Sequence, residues 1–421
     1  MGRILSFLVA VGGLVLVVVF ASQWWPVDGD PTVAEPGPHR VRVVDTRAIV
    51  PGPGLPPELP LGSANNNLDA VRANDGAVYL ALRTAPHHFA NPDTKILVLR
   101  SRDEVHWQLD ASFALGHDLR EPRLLAHAGR VVLFVSRLGD DAFAFEPDGM
   151  SRAQRDRDGR WSDLEPFGPP GAIGWRARHV AGVPALITYE GGGSAYGAGM
   201  PEMRIDLWRS TDAITWRKWA ADGRPLYAGG GGETDFARSA SGDFFGVIRV
   251  ESGDERGWGS RLCRAPGDAP TRWRCRSDVR KFDSPYVFAH DGEVYLVGRR
   301  HLRGDGRFDR GIGPETGRLR VLRTLWNHIG YSFARKRCAL WRFVEEDAAA
   351  DGVGLRLAHV IDLPSRGDTC FAAVLAGERP DERVVYDYSS PLTGRDVRWI
   401  EGQLGETRIY RHVLRFTRSA G

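Results

Sequence analysis

Short apolar runs recur along most of the chain, separated by clusters of turn-forming residues. "AVYLALR" from Ala77, "VVLFVSR" from Val131, "ALITYE" from Ala185 and "FFGVIRV" from Phe244 are followed by "EVYLVGRR" from Glu293 and "RVVYDYS" from Arg383. Their length, β-branched and aromatic content and flanking turns predict strands. "NDG", "HAG", "SGD" and "HDG" stand just before several of them, as hairpin turns do. No segment beyond the first thirty residues has sustained helical periodicity, so the expectation is an all-β chain.

A second pattern sets the register. Trp107, Trp161, Trp216 and Trp273 lie 54, 55 and 57 residues apart, each after a polar turn: "SRDEVHW", "RDRDGRW", "STDAITW" and "GDAPTRW". A period near fifty with about four short strands per unit predicts a β-propeller. The second-strand runs number six, which predicts six blades, with five as the alternative count. The fifth unit is stretched by "HLRGDGRFDRGIGPETGRLR". N-terminal "HRVRVVDTRAIV" and C-terminal "RIYRHVLRF" are spare strands, and pairing one into the other's blade closes the ring and removes open edges. Ser101, Asp103 and Trp107, like Ser210, Asp212 and Trp216, are read as rim structure: the polar side chains cap a tight turn and the tryptophan packs between sheets.

The N-terminus adds a compartment. One arginine precedes an apolar run from Ile4 to Ala21, followed by Trp24, Trp25 and acidic residues. Residues 1–25 are thus a signal peptide or a membrane anchor, 26–38 a linker, and 39–421 the propeller. Either form exports the chain, to the cell envelope if anchored and as a secreted protein if cleaved. Export favours disulfides for the four cysteines: Cys263 with Cys275 across a hairpin, and Cys338 with Cys370. The net charge of +3 is too small to argue for nucleic acid as a partner. Basic residues are nearly all arginine, whose planar fork grips carboxylates.

"SRDEVHW" and "STDAITW" resemble the Asp-box-type turns of sialidase-like propellers, and the Ser-x-Asp-x-x-x-Trp turns of five-bladed arabinanase, xylosidase and invertase-type glycosidases. Both copies lack the glycine that usually follows the aspartate. The resemblance covers about residues 65–421 and implies a propeller glycosidase fold. A sialidase-type site also implies a tyrosine nucleophile, for which Tyr388 in "YDYSS" is available; the family's first-blade arginine motif has no match.

Propeller chemistry is built where the innermost strands begin, around the axial funnel. Those starts carry Asp69 and Arg72 in "NNNLDAVR", Glu121 and Arg123 in "DLREPRL", and Arg178 in "GWRARHV". They continue with Glu233, Asp235 and Arg238 in "GGGGETDFAR", Asp283 and Tyr286 in "KFDSPYV", and Asp368 in "SRGDTCF". Glycoside hydrolysis needs two carboxyl groups flanking one bond, so Asp69, Glu121, Asp235 and Asp283 are the catalytic candidates. Arg72, Arg123, Arg178, Glu233, Arg238, Tyr286, Asp368 and Tyr388 are candidates for holding substrate, the arginines suiting an anionic sugar such as a sialic or uronic acid. The expected partners are a carbohydrate or glycan and, through the N-terminus, a membrane; the alternative function is non-catalytic binding of a glycan or envelope protein. A monomer is expected, with no cofactor and no metal. The glycine-rich loops "EGGGSAYGAGMPEM" and "YAGGGGETDF" lack the ending of a phosphate loop, and His87 and His88 have no metal-ligand spacing. Trp326, Asn327, His328 and Tyr331 of "TLWNHIGYSF" are expected to pack the fifth-unit insertion onto the blades, with stacking on a sugar ring as the alternative.

Overall fold

The computed structural model describes residues 33–139, 141, 145–194, 202–302, 306–317, 319–347 and 352–419. The N-terminal apolar run lies outside the described residues, among which no helix is long and apolar enough to cross a membrane. After β1 (His39–Val50), the chain lays down β2 (Ala64–Arg72), β3 (Val78–Ala85), β4 (Lys95–Ser101) and β5 (Gln108–Phe113) as one antiparallel sheet. The second sheet is β6 (Asp118–His127), β7 (Arg130–Leu138), β8 (Pro147–Arg155) and β9 (Glu165–Phe167). The third is β10 (Ile173–Val180), β11 (Val183–Glu190), β12 (Met203–Arg209) and β13 (Arg217–Lys218), with β14 (Tyr227–Gly229) also on β12. The fourth is β15 (Gly231–Arg238), β16 (Phe244–Asp254), β17 (Gly257–Ala265) and β18 (Arg274–Asp278). The fifth is β19 (Asp283–His290), β20 (Glu293–His301), β21 (Lys336–Glu345) and β22 (Leu355–Asp362). The sixth has the order β1-β25-β24-β23, with β23 (Ala373–Ala376), β24 (Glu382–Ser389) and β25 (Arg408–Arg418).

Six sheets in series, each a meander, make a six-bladed all-β propeller. The two spare strands meet as expected: β1 pairs antiparallel with β25 from His39↔Arg418 to Val50↔Ile409 and becomes the outer strand of blade six. Both disulfides form, Cys263–Cys275 between β17 and β18, and Cys338–Cys370 from β21 to the chain just ahead of β23.

The rim turns behave as read. Asp212 accepts the backbone N–H groups of Ile214 and Thr215 at 2.8 Å each, and Asp103 those of Val105 and His106 at 2.9 and 2.8 Å. The tryptophans that follow pack on neighbouring sheets: Trp107 edge-on to Tyr386 at 6.1 Å, and Trp216 edge-on to Phe134 at 5.7 Å. Trp273 lies over Gly246, where a Cβ would meet its ring at 2.3 Å, so only glycine fits beneath it.

The expectation of no helix fails in two places. Helix α1 (Arg320–Ser332) occupies the insertion between β20 and β21, and the short α2 (Trp399–Gln403) lies between β24 and β25. Helix α1 escapes an apolar-periodicity reading because the face it buries is polar: Arg320, Arg323, Thr324, Asn327 and Tyr331.

Candidate active site

Five of the six innermost strands share one irregularity. Bulges interrupt the pairing of β2 at Asn66/Leu68, β6 at Arg120/Arg123, β10 at Gly174/Arg176, β15 at Gly231/Thr234 and β19 at Asp283/Tyr286. Asn67, Glu121 and Ser284 take left-handed backbone there, with φ of 39°, 53° and 52°. A bulge re-aims the side chain at its position. Four of the bulged residues, Asn67, Glu121, Glu233 and Ser284, line a cavity of about 570 Å³ on the propeller axis. Helix α1 contributes Thr324, His328 and Tyr331 to its wall, and α2 contributes Trp399 and Gln403.

The cavity divides into two charged clusters. In the first, Arg249 and Glu251 stand two residues apart on β16 and so point the same way. Arg249 reaches Glu233 at 3.0 Å, Glu251 at 2.7 Å and Asp283 at 3.6 Å. Lys281 bridges Glu251 at 3.1 Å and Asp283 at 3.2 Å. Tyr331 donates its hydroxyl proton to Asp283. Burial opposes the charged form of Asp283, but Lys281, Arg249 and Arg299 overcome it and hold this carboxyl below its usual range. Burial raises Glu233, with Arg249 opposing. Burial likewise lowers His328, to about 4, so this imidazole is neutral at pH 7.

In the second cluster, Tyr388 donates to Asp368 at 2.9 Å and accepts from Arg299 at 3.3 Å. Asp368 also accepts from Trp399 Nε1 at 3.1 Å, and its other oxygen lies 2.6 Å from His88 Nδ1. Burial disfavours its charge, but His88 and Arg299 keep it below the ordinary value. Burial pushes the Tyr388 hydroxyl well above its ordinary value.

Glu121 stands apart from both clusters. It has no ion-pair partner among the described residues, and its Oε2 has no hydrogen-bond partner there. Burial pushes its carboxyl up to about 7; Arg123 pulls it down and Glu233 adds to the rise. The cavity therefore holds carboxyl groups pushed up by burial, Glu121 and Glu233, beside Glu251 and Asp283, which cations hold down, the arrangement that separates an acid from a base.

Of the sequence candidates, Glu121, Glu233, Asp283 and Tyr388 line the cavity, with Asp368 directly behind Tyr388. The others are placed elsewhere, for identifiable reasons. Asp69 and Asp235 are clasps between blades: Asp69 accepts the Leu124 N–H at 2.9 Å and Asp235 the Val287 N–H at 2.7 Å, each from the next innermost strand. Arg178 is held by Asp235 at 3.0 Å and by the Val287 carbonyl at 2.8 Å. Arg123 is fully buried between the rings of Trp175 and Phe371, at 4.6 and 4.3 Å. Tyr286 donates to the Val374 carbonyl at 3.1 Å, under the Arg176 guanidinium. Arg72 pairs with Glu104 at 2.6 Å and Arg238 with the Gly242 carbonyl at 2.9 Å, each from the far end of its innermost strand.

Sequence reasoning missed Arg249, Glu251, Lys281, Arg299 and His88, while His328 and Tyr331 of α1, read mainly as packing residues, line the cavity. Four of these were legible as charges inside or beside strand-like runs, in "IRVES", "RKFD" and "YLVGRR". A charge on a strand whose neighbours are all apolar has to face a polar cavity or a partner.

No family model and no curated protein sequence matches the chain. Solved structures do. A protein of unknown function from Dyadobacter fermentans is 13% identical, with a TM-score of 0.55 over 90% of this chain and 99% of that one. Trypanosoma rangeli sialidase in complex with sialic acid is 13% identical, with a TM-score of 0.53 over 84% of this chain. The match spans 54% of that sialidase, just over half its length. The same sialidase with the inhibitor DANA gives a TM-score of 0.54 at 13% identity, covering 86% of this chain and 57% of that one. At such identities the likeness is one of architecture: this chain has the six-bladed fold of sialidase-like glycoside hydrolase propellers.

Proposed function

We propose that the protein is an exported glycoside hydrolase acting on a sugar that carries a carboxylate. The observation that carries this reading is Glu121, buried and without an ion-pair partner among the described residues, in one cavity with the Arg299–Tyr388–Asp368 cluster. Glu121 gives its proton to the glycosidic oxygen as the bond to the anomeric carbon breaks. Tyr388 attacks that carbon while its phenolic proton passes to Asp368, and Arg299 stabilises the charge that develops on the phenol oxygen. Water, deprotonated by the now ionised Glu121, then cleaves the glycosyl–tyrosine bond, and the proton on Asp368 returns to Tyr388. Two displacements retain the anomeric configuration.

A phenol is a better nucleophile here than the acids held by cations. It is neutral before attack, so a substrate carboxylate does not repel it, whereas Asp283 and Glu233 are already engaged by cations. Arg249, Arg299, Lys281 and Arg120 line the same cavity and offer guanidinium and ammonium donors to that carboxylate. The two disulfides fit an oxidising compartment, and the N-terminal apolar run fits export with a tether to the membrane. One observation favours a second reading, a funnel that binds a carbohydrate without turnover: the lining acids other than Glu121 sit within ion-pair distance of cations.

A panel of nitrophenyl sialosides, uronides and neutral glycosides separates the two. Hydrolysis confined to the anionic sugars, with a 2-fluoro analogue adding its glycosyl mass to Tyr388, is the expected result. Binding of those sugars without hydrolysis or label would leave the funnel as a lectin-like site and end the hydrolase reading.

A further inference from the structure

Blade six builds its axial edge differently from the other five. Their innermost strands run eight to ten residues and are bulged. β23 has only four, Ala373–Ala376. Ahead of it the chain from Asp368 to Ala372 is irregular, apart from one bridge between Thr369 and Ser389. That irregular stretch carries much of the second cluster. Asp368 accepts from the Tyr388 hydroxyl, the Thr369 and Cys370 carbonyls accept from Arg299, and Phe371 lines the cavity. Hydrogen bonds tie the stretch to β24 within blade six: Thr369 Oγ1 donates to the Tyr388 carbonyl at 2.7 Å, and Asp387 accepts the Phe371 N–H at 2.9 Å.

The Cys338–Cys370 disulfide ties the same stretch covalently to blade five, the blade that carries Arg299. Cys338 stands directly opposite Arg299 in the β20–β21 ladder, and its sulfur is bonded to the residue whose carbonyl accepts from Arg299 at 3.2 Å. Arg299 and the two cysteines thus belong to one closed ring of covalent and hydrogen bonds. The guanidinium nitrogen that donates to Cys370 also donates to the Tyr388 hydroxyl, at 3.3 Å. Both cysteines are fully buried, and Cys370 has left-handed backbone, φ 85°, which a residue with a Cβ keeps only where its surroundings hold it. A disulfide that serves stability alone needs no such place: Cys263–Cys275 joins paired positions of one hairpin, and neither residue lines the cavity. We propose that Cys338 and Cys370 are positioning residues, whose disulfide sets Arg299 and Asp368 around the Tyr388 hydroxyl across the junction of blades five and six. The consequence for turnover rests on the hydrolase reading; the hold on Arg299 does not.

Cys338→Ala with Cys370→Ala in the full chain, assayed well below its melting temperature, tests both. On an activated anionic glycoside kcat should fall about a hundredfold, the scale of an ångström-sized displacement at a reacting group. KM should change far less, since Arg249, Lys281 and Arg120 also line the cavity. Cys263→Ala with Cys275→Ala should turn over as wild type does. In an Arg299→Gln background, losing the Cys338–Cys370 bond should lower kcat by less than about threefold more, because the group it aligns is already gone. A bond that merely stabilises the fold gives the same factor in both backgrounds. The hold itself is read by NMR of the isotope-labelled arginine Nε–H groups, where the signal missing from Arg299→Gln identifies the Nε–H that donates to Thr369. This proton should exchange slowly in the wild type and at least ~30-fold faster without the disulfide. Cys338→Val with Cys370→Ala fills more of the same space and repeats both readings if the double alanine chain folds poorly. Undiminished kcat, or the same factor in both backgrounds, overturns the inference, as does Arg299 exchange that the variants leave unchanged. A wild type that hydrolyses no glycoside, with Arg299 exchange still quickened by loss of the bond, ends the hydrolase reading and upholds the positioning role of the disulfide.

Discussion

Tyr388 donates its hydroxyl proton to Asp368 across 2.9 Å while Arg299 donates to the same hydroxyl oxygen at 3.3 Å. This pairing gives a buried phenol both a proton acceptor and a cation for the anion it becomes. Tyr388→Phe keeps the ring and removes the attacking oxygen, so kcat on an activated anionic glycoside should fall at least about a thousandfold. KM should move little, because the cations that hold the substrate carboxylate are untouched. Asp368→Asn should give a similar loss in kcat. Turnover within tenfold of wild type in Tyr388→Phe would remove the tyrosine from the mechanism.

The buried acids make stability depend on pH in two directions. Burial raises Glu121 and Asp387 to about 7 from ordinary values of 4.5 and 3.8. A raised carboxyl binds its proton more tightly in the native state, so its contribution is complete below the ordinary value and is lost as pH rises through about 7. Glu251, Asp283 and Asp368 are lowered by neighbouring cations, and their contribution is lost as pH falls below the ordinary carboxylate range. The melting temperature should therefore peak near pH 5 and decline towards pH 8. Glu121→Gln removes one of the groups responsible and should flatten that decline, by up to ~3 kcal/mol at pH 8. An unaltered slope in that variant would mean that Glu121 ionises freely in the fold. In activity assays the same group sets the alkaline limb: kcat/KM should fall above about pH 7, as the acid loses its proton.

The blade register and the ring closure were legible because they rest on local chemistry. Turn residues before strands, a tryptophan after each rim turn, and two leftover strands at the ends determine six meanders and their closure. The inner-strand acids were legible as a group but not one by one. Glu121 and Asp69 occupy the same kind of strand start, yet a bulge turns Glu121 to the axis while Asp69, beyond its own bulge, accepts a backbone N–H from the next blade. Which way a bulged strand aims each side chain depends on its pairing, which no sequence spacing reports. Helix α1 was missed for the opposite reason: its periodic residues exist, but the periodic face that meets the protein is made of Arg, Thr, Asn and Tyr.

The two disulfides constrain the unfolded chain to different extents. Cys263 and Cys275 are 12 residues apart within one hairpin, while Cys338 and Cys370 are 32 apart and join blade five to blade six. Loop-closure entropy gives about 3 kcal/mol for the shorter loop and about 4 for the longer. The Cys338→Ser, Cys370→Ser double variant should accordingly unfold at lower urea than the Cys263→Ser, Cys275→Ser one. Equal midpoints, or a reversed order, would show that the blade five–six junction is held by its packing alone.

Ring closure hangs on β1. It pairs along β25 from His39 to Val50, buries Val41, Ile49 and Val50, and gives blade six its fourth strand. At its start His39 also reaches blade five, with Nδ1 2.9 Å from the Tyr295 hydroxyl and Nε2 3.0 Å from Asp291. A chain that begins at residue 52 loses all of this at once. Its β25 becomes an open edge with unpaired N–H and C=O groups, a template for pairing with other chains. Such a chain should elute as aggregate and melt well below the full protein. A synthetic peptide of residues 39–50 supplied in trans should restore both the monodisperse peak and the melting temperature, since the missing strand binds by backbone pairing alone. A shortened chain that stays soluble and melts as before would show that blades one to five and the three-stranded remainder of blade six close without it.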